Sequence, residues 1–453
     1  MQDILLIGGK YPDFEKREFV QANVAVKDGK ITYIGADEPA AAEKIDCSGK
    51  VISPGFIDIH MHEENVSEGD KWVIAEMMLK QGVTFALGGN CGVMRQPAAE
   101  FKEMIKRTGG CPINYGLLSG YNYYRNNVLG IDHDEPASKE DRDKIAGYMR
   151  KDIEEGAFGI SFGIEYDPGI TTEEMKYAMQ FQGDGDFLVS AHYRGDAAKA
   201  PEAVREMIEL QNATGKKFQI SHLSSCSAMG QMDEVLEMIE KAAGENPRLD
   251  FDTYPYNAFS TMMGSEVFQD GCLQGWGKDY NDVLLTEPPY ENVLCTKEIF
   301  DDARKNYPDM LAVVFAMNED EIAAAVSHRL GMVASDGIIS NGKGHPRAAG
   351  TFPRFLGKYV REEKRLTLME ALEKITLRPA TRLGMENFKG VIKEGADADI
   401  TVFDPETILD GPTFEDINIE NRGIDCVIVG GRVSLFEGKP TGVLAGRFVR
   451  KSK

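Results

Sequence analysis

FLVSAHYRGDAAKAPEAVREMIELQNATGKKFQISHL, residues 187–223, runs from an apolar β-rich segment ending near His192, through a stretch with helical periodicity, into a second β-rich segment ending near His222. The two histidines stand one strand-helix repeat apart, so they fall at like ends of neighbouring strands. The same alternation extends in both directions. GFIDIH (55–60), VTFALGGNC (83–91), INYGLLSGY (113–121), AFGISFG (157–163), RLDFDTYP (248–255) and GMVASDG (331–337) bring the candidate strands to eight. Eight such units predict an α/β fold, a closed (β/α)8 TIM-like barrel, expected over residues 54–383.

The ends of the chain read differently. Within residues 2–52, ILLIGG, ANVAVKDGK, ITYIG and KVISP are short β segments broken by Gly, Asp and Pro turn signals, and the texture returns in GVIKEGADADITVFD and DCVIVGGRVSLFEGKP. A small β-sandwich domain built from both ends, residues 1–53 and 384–453, is the expectation. The interval 256–330 is longer than a barrel loop needs and reads as an insertion over the mouth, either a substrate lid or a structural excursion.

At 453 residues, 42% hydrophobic and 27% charged, the chain has the composition of an ordinary soluble globular protein. Its formal net charge of −22 opposes phosphate backbones and anionic membranes, and no Lys/Arg cluster counters it, so nucleic acid and membrane are not expected partners. A small anion still is, because a few arginines in a cleft set the local potential. Seven scattered cysteines make no disulfide framework and suit a reducing cytoplasm. The start MQDILLIGGKYPD has no export-signal pattern, and no stretch reaches the ~18 apolar residues of a membrane span.

The chemistry is expected where strands end. His60, His62, Cys91, Tyr121, His192, His222, Tyr254 and Asp336 all fall at or just beyond the carboxyl ends of predicted strands, which converge on one face of a barrel. Each has a bland reading taken singly: a hydrogen-bonded histidine, a small buried cysteine, a turn aspartate before Gly337. Together they favour a metal site, because thiolate and imidazole are preferred zinc ligands and a nearby carboxylate can shuttle a proton.

PGFIDIHMH, GVTFALGGNCG, DTYPYNA, ASDG, GHPRAAGTFPRFLGKYVRE and KGVIKEGADADITVFD resemble, over nearly the whole chain, the D-aminoacylase (N-acyl-D-amino-acid deacylase) family of the amidohydrolase superfamily. The resemblance implies a zinc held tightly by Cys91, His192 and His222, a second, weaker metal site near His60, His62 and Asp336, and Asp336 as general base and acid. Cys91 would bridge where related hydrolases use a carboxylated lysine or a glutamate. Arg347 matches the arginine that grips the substrate carboxylate, Tyr254 or Tyr256 would supply a hydroxyl, and Arg194 and Tyr121 point towards the mouth. Ser224 departs from the pattern, standing where the family carries a lysine.

The implied reaction is hydrolysis of the amide of an N-acyl-D-amino acid by zinc-activated water, with Asp336 moving the proton to the departing amine. Cyclic amide hydrolysis of the hydantoinase or dihydroorotase kind, or dipeptide hydrolysis, is the alternative on the same barrel. An inactive scaffold would have to keep all six candidate ligands for no purpose.

Overall fold

The computed structural model describes residues 1–67 and 69–451. Glu68 and the last two residues of the 384–453 segment lie outside the described residues. The eight expected segments form one parallel sheet, each strand hydrogen-bonded to the next: β1 (Phe56–Asp58), β2 (Val83–Gly88), β3 (Asn114–Gly120), β4 (Gly159–Gly163), β5 (Leu188–His192), β6 (Lys217–Ile220), β7 (Leu249–Thr253) and β8 (Gly331–Val333). A helix lies between each strand and the next, from Val73–Lys80 after β1 to Glu319–Ser327 after β7, and Arg347–Arg354 follows β8. Ser138, Thr171 and Asn318 cap three of these helices with side-chain oxygens, and Gly156 and Gly215 end two in the left-handed region.

Strands covered on both faces should be apolar throughout, and VTFALG in β2 is buried at every position. Ile57, Phe85, Leu87, Leu118, Phe158 and Met332 share one cluster on the inner face, with the Phe85 and Phe158 rings edge to face. β1 and β8 close the barrel. Buried Asp58 accepts from the backbone N–H of Ser335 at 3.0 Å and from its hydroxyl at 2.5 Å. Beyond the strands, Asp336 N–H donates to His60 O at 2.8 Å and His62 N–H to Gly337 O at 3.0 Å. The closing backbone is therefore the backbone that carries three candidate ligands.

Both chain ends enter one nine-stranded sheet, joined where Ile400–Phe403 pairs antiparallel with Val51–Pro54. Leu6, Val24, Val26, Ile52, Ile400 and Ile428 fill its core. Buried Lys389 holds this sheet to the barrel: it bonds Asp397 at 3.0 Å and Asp399, and Asp399 accepts from Asn114 at the start of β3 at 3.2 Å. Burial alone would lower the Lys389 ammonium, but Asp399 and Asp397 hold it above its ordinary value.

The interval 256–330, expected as one insertion, divides in two. Phe259–Met262, Leu311–Val314, Val283–Leu285 and Val293–Leu294 form a separate four-stranded sheet, whereas Glu319–Ser327 is a barrel helix packed on Met232–Glu245 and β8. Among the described residues no helix is long and apolar enough to cross a membrane.

Lys389→Met would leave buried Asp399 without a cation, whereas Asp397 would keep Lys30 at 2.6 Å. It should cost about 3–5 kcal/mol, read as a lower midpoint in denaturant unfolding; an unchanged midpoint would show that this pair does not hold the sheet to the barrel.

Candidate metal centre

The barrel ladder stops just short of the chemistry. β2, β6 and β8 end at Gly88, Ile220 and Val333, whereas Cys91, His222 and Asp336 follow with φ of 53°, 32° and 49°. Left-handed backbone costs a non-glycine residue about 1–3 kcal/mol, and no strand can contain it, so the predicted strands that ran through these residues are shorter in the structure. The GGNCG sequence makes the turn at Cys91 possible. Gly89 and Gly92, at φ 74° and 71°, pass so close to neighbours that a Cβ would lie 2.0 Å from Leu118 O and 1.8 Å from Asn122 Oδ1.

Cys91 stands between two groups of donors. Its Sγ lies 3.3 Å from His60 Nε2 and 3.4 Å from His222 Nε2. With His60, His62 and Asp336 it forms one group whose ligand atoms lie within 4.8 Å of one another, and with His192 and His222 a second. Sulfur and nitrogen bound to one tetrahedral zinc would be roughly 3.5 Å apart, from bonds of about 2.3 and 2.0–2.1 Å. The observed separations match that span. His192 Nδ1 is buried without a hydrogen-bond partner among the described residues, as a ligand nitrogen awaiting an ion would be. The donor set therefore fits zinc, and Cys91 is shared by both groups.

Charge supports the fit. Burial pushes the Cys91 thiol up, but the imidazoles of His60 and His222 outweigh it and hold the group well below its ordinary value, as thiolate. Burial likewise opposes a proton on His60, yet Asp252 and Cys91 hold its pKa well above the usual range. Burial also raises Asp336, and Arg347 and His222 overcome it, keeping the carboxyl ionised. Asp336 Oδ1 lies 3.1 Å from His62 Nε2 and 3.4 Å from His60 Nε2, while Oδ2 lies 3.0 Å from Arg347 Nη1.

The residues expected to bind substrate separate. Arg347 stays at the cleft, with buried Tyr254 behind it: the guanidinium lies over the Tyr254 ring, 4.6 Å from its centroid, and donates from Nη2 to Ser260 O at 3.1 Å. Four others do not line it. Tyr121 shares its strand face with Ser119, which bonds a helix, and turns its hydroxyl to Glu174 at 2.9 Å on the outer side. Arg194 pairs with Glu206 at 2.8 Å on the following helix. Ser224 begins a helical turn and meets Thr253 behind the cleft, leaving Ser225 to face inward against Tyr254. Tyr256 bonds Asp410 at 3.3 Å and packs on His345 and Arg354.

Sequence reasoning missed several groups. Asp252 accepts the backbone N–H of His222 at 2.8 Å and lies 3.0 Å from His60 Nδ1, fixing both ligands from behind. Glu165 lies 2.7 Å from His192 Nε2, and the Tyr166 ring packs 4.6 Å from that imidazole. Glu165 sits two residues past β4, so the strand-end rule that found the histidines could have found it. Phe259, Ser260, Thr261 and Val267, from the excursion after β7, close the cleft over the ligands.

Comparison with known proteins agrees with this geometry. Models described as the amidohydrolase family match residues 51–243 and 292–435, and the chain belongs to that family. Within it, the chain resembles the D-aminoacylase branch over its full length. An N-acyl-D-glutamate deacylase of Alcaligenes xylosoxydans xylosoxydans is 28% identical, covering 99% of this chain and 96% of its own. The crystal structure of N-acyl-D-glutamate deacylase from Bordetella bronchiseptica, complexed with zinc and a phosphonate mimic of the tetrahedral intermediate, superposes with a TM-score of 0.89 at 27% identity, covering 99% of both chains. A D-aminoacylase structure describing a binuclear metal centre, activated by one metal and attenuated by a second, superposes at 0.86 and 27% identity, covering 99% of this chain and all of the other.

Two variants test the centre. Cys91→Ala should reduce bound zinc from about one per chain to a small fraction of that, measured by elemental analysis after dialysis; full retention would remove the thiolate from the site. Asp252→Asn should weaken zinc affinity about 10–100-fold, measured by competition with a chromophoric chelator, and unchanged affinity would reduce Asp252 to a packing role.

Proposed function

We propose that this amidohydrolase cleaves the amide bond of N-acyl-D-amino acids, giving a carboxylate and a D-amino acid. The observation that carries the reading is the shared Cys91 thiolate between two donor groups, set beside the Asp336–Arg347 pair. The named activity of the D-aminoacylase relatives supplies the substrate class. The fourth strand, GISFG, has no lysine to bridge two metals, which favours the cysteine-centred branch over lysine-bridged cyclic amide hydrolases.

Cys91, His192 and His222 would hold the tight zinc, and His60, His62 and Asp336 with Cys91 would make a second, weaker site. Bound there, zinc would supply Lewis-acid polarisation of the acyl carbonyl and acidify the attacking water. Asp336, kept ionised by Arg347, accepts the proton of that water and delivers it to the leaving nitrogen. Arg347 has a buried Nε–H with no partner among the described residues, free to take the substrate carboxylate. Tyr254 holds the guanidinium in place from one side. The partner is thus a small carboxylate-bearing molecule, and a cytoplasmic setting suits seven free cysteines.

Zinc-loaded protein should release amine from an N-acetyl-D-amino acid and not from its L enantiomer. Asp336→Asn should lower kcat by about 10²–10⁴-fold, and Arg347→Met, which also removes the charge holding Asp336 ionised, should raise KM by about tenfold or more and lower kcat as well. A zinc-loaded wild type that releases no amine from a panel of N-acetyl-D-amino acids would overturn the reading.

A further inference from the structure

The end of the barrel opposite the metal centre gathers positive charge that the sequence disperses. Lys217 opens β6, Arg248 immediately precedes β7, and Arg329 stands two residues before β8. Around these amino ends lies a cavity of 680 Å³, within the roughly 300–1,000 Å³ of small-molecule sites. Arg17, Lys374, Arg378 and Arg382 complete a lining of seven cations against three carboxylates, Asp250, Glu370 and Glu373, in a chain whose net charge is −22. The cations come from five separate segments, so no Lys/Arg run marks them in the sequence. Arg17, Arg248 and Arg329 are exposed, whereas Lys374 and Arg382 are buried.

The outer cations have their own carboxylates. Glu373 takes Arg17 at 3.3 Å, Asp186 takes Lys217 at 2.8 Å and Arg248 at 2.6 Å, and Glu240 takes Arg329 at 2.8 Å. Glu370 is turned to Thr367 in a capping box. Among the described residues, Asp250 is left to serve the inner three. It meets Arg378 Nη2 at 2.6 Å and Arg382 Nη1 at 3.5 Å, while Lys374 Nζ donates to two carbonyls, Gly331 O at 2.8 Å and His328 O. Arg382 is 7% exposed, and its Nε–H has no hydrogen-bond partner among the described residues. Burial, and then the Arg378 charge, push the Lys374 ammonium down to about 7, and burial lowers Arg382 to about 10. Three cations around one carboxylate leave an excess of two positive charges, and uncompensated buried charge is costly.

We propose that this cavity binds the phosphate group of a small phosphorylated molecule, held by Lys374, Arg378 and Arg382. A phosphate monoester carries about −1.5 to −2 near neutral pH, which matches the excess. A single carboxylate or a phosphodiester would cancel only half of it. Guanidinium forks suit phosphate oxygens geometrically, and exposed Arg17, Arg248 and Arg329 attract the anion to the mouth against the charge of the whole chain. The site stands apart from the metal centre and does not depend on the deacylase reading.

Isothermal titration calorimetry of the zinc-loaded full-length protein with inorganic phosphate, beside acetate at equal ionic strength, tests the site. Phosphate should bind saturably with a Kd below about 10 mM, and acetate should not. Arg378→Gln should weaken phosphate binding about tenfold or more. The exposed Arg248→Glu, which reverses a charge at the mouth, should weaken it about as much and leave bound zinc unchanged. Should Arg378→Gln fail to fold, Arg248→Glu decides alone. An affinity untouched in the folded variants would place the anion elsewhere, the metal centre included, and overturn the site. Acetate binding as well as phosphate, or no saturable phosphate binding in the wild type, would overturn it too.

Discussion

A buried thiolate among imidazoles is the interaction on which the rest of this molecule depends. Cys91 is fully buried and held in left-handed backbone, 3.3 and 3.4 Å from two histidine nitrogens. A cysteine in an apolar interior stays protonated and inert, as Cys111 does, its thiol pushed up by burial. Cys91 differs because four strands deliver charge to the same point. An ion joining these donors would offset the cost of the bent backbone and of the crowded histidines.

The barrel supplies what the thiolate needs. Its closure between β1 and β8 passes through His60, His62, Asp336 and Gly337, so the last hydrogen bonds of the fold also aim three donors. Asp252 couples β7 to His60 and to the backbone of His222, and Glu165 steadies His192 from β4. Arg347, arriving on the helix after β8, keeps Asp336 ionised and turns the same guanidinium towards the cleft. Closure and chemistry therefore share residues: the main chain of His60, His62 and Asp336 closes the rim of the barrel while their side chains form the candidate centre.

Much of this was legible in the sequence, for a reason tied to barrel geometry. Eight β-rich runs separated by helical stretches leave little choice of fold, and the convergence of strand ends brings His60, His62, Cys91, His192, His222 and Asp336 together whatever the loops do. What was illegible is side-chain direction once the chain leaves the ladder. Tyr121 kept the outward parity of Ser119, Ser224 was turned away by one residue of helix so that Ser225 faces the cleft, and Arg194 and Tyr256 found carboxylates, Glu206 and Asp410, that distance along the chain conceals. Asp252 was overlooked because it lies within its strand, where its alternation looks structural.

The central claim is that Cys91 ligates the metal directly. Zinc K-edge X-ray absorption of the protein loaded with a single equivalent of zinc tests it most directly. The account predicts one sulfur scatterer at about 2.3 Å with the remaining shell nitrogen or oxygen at about 2.0–2.1 Å. A first shell of nitrogen and oxygen alone would contradict it.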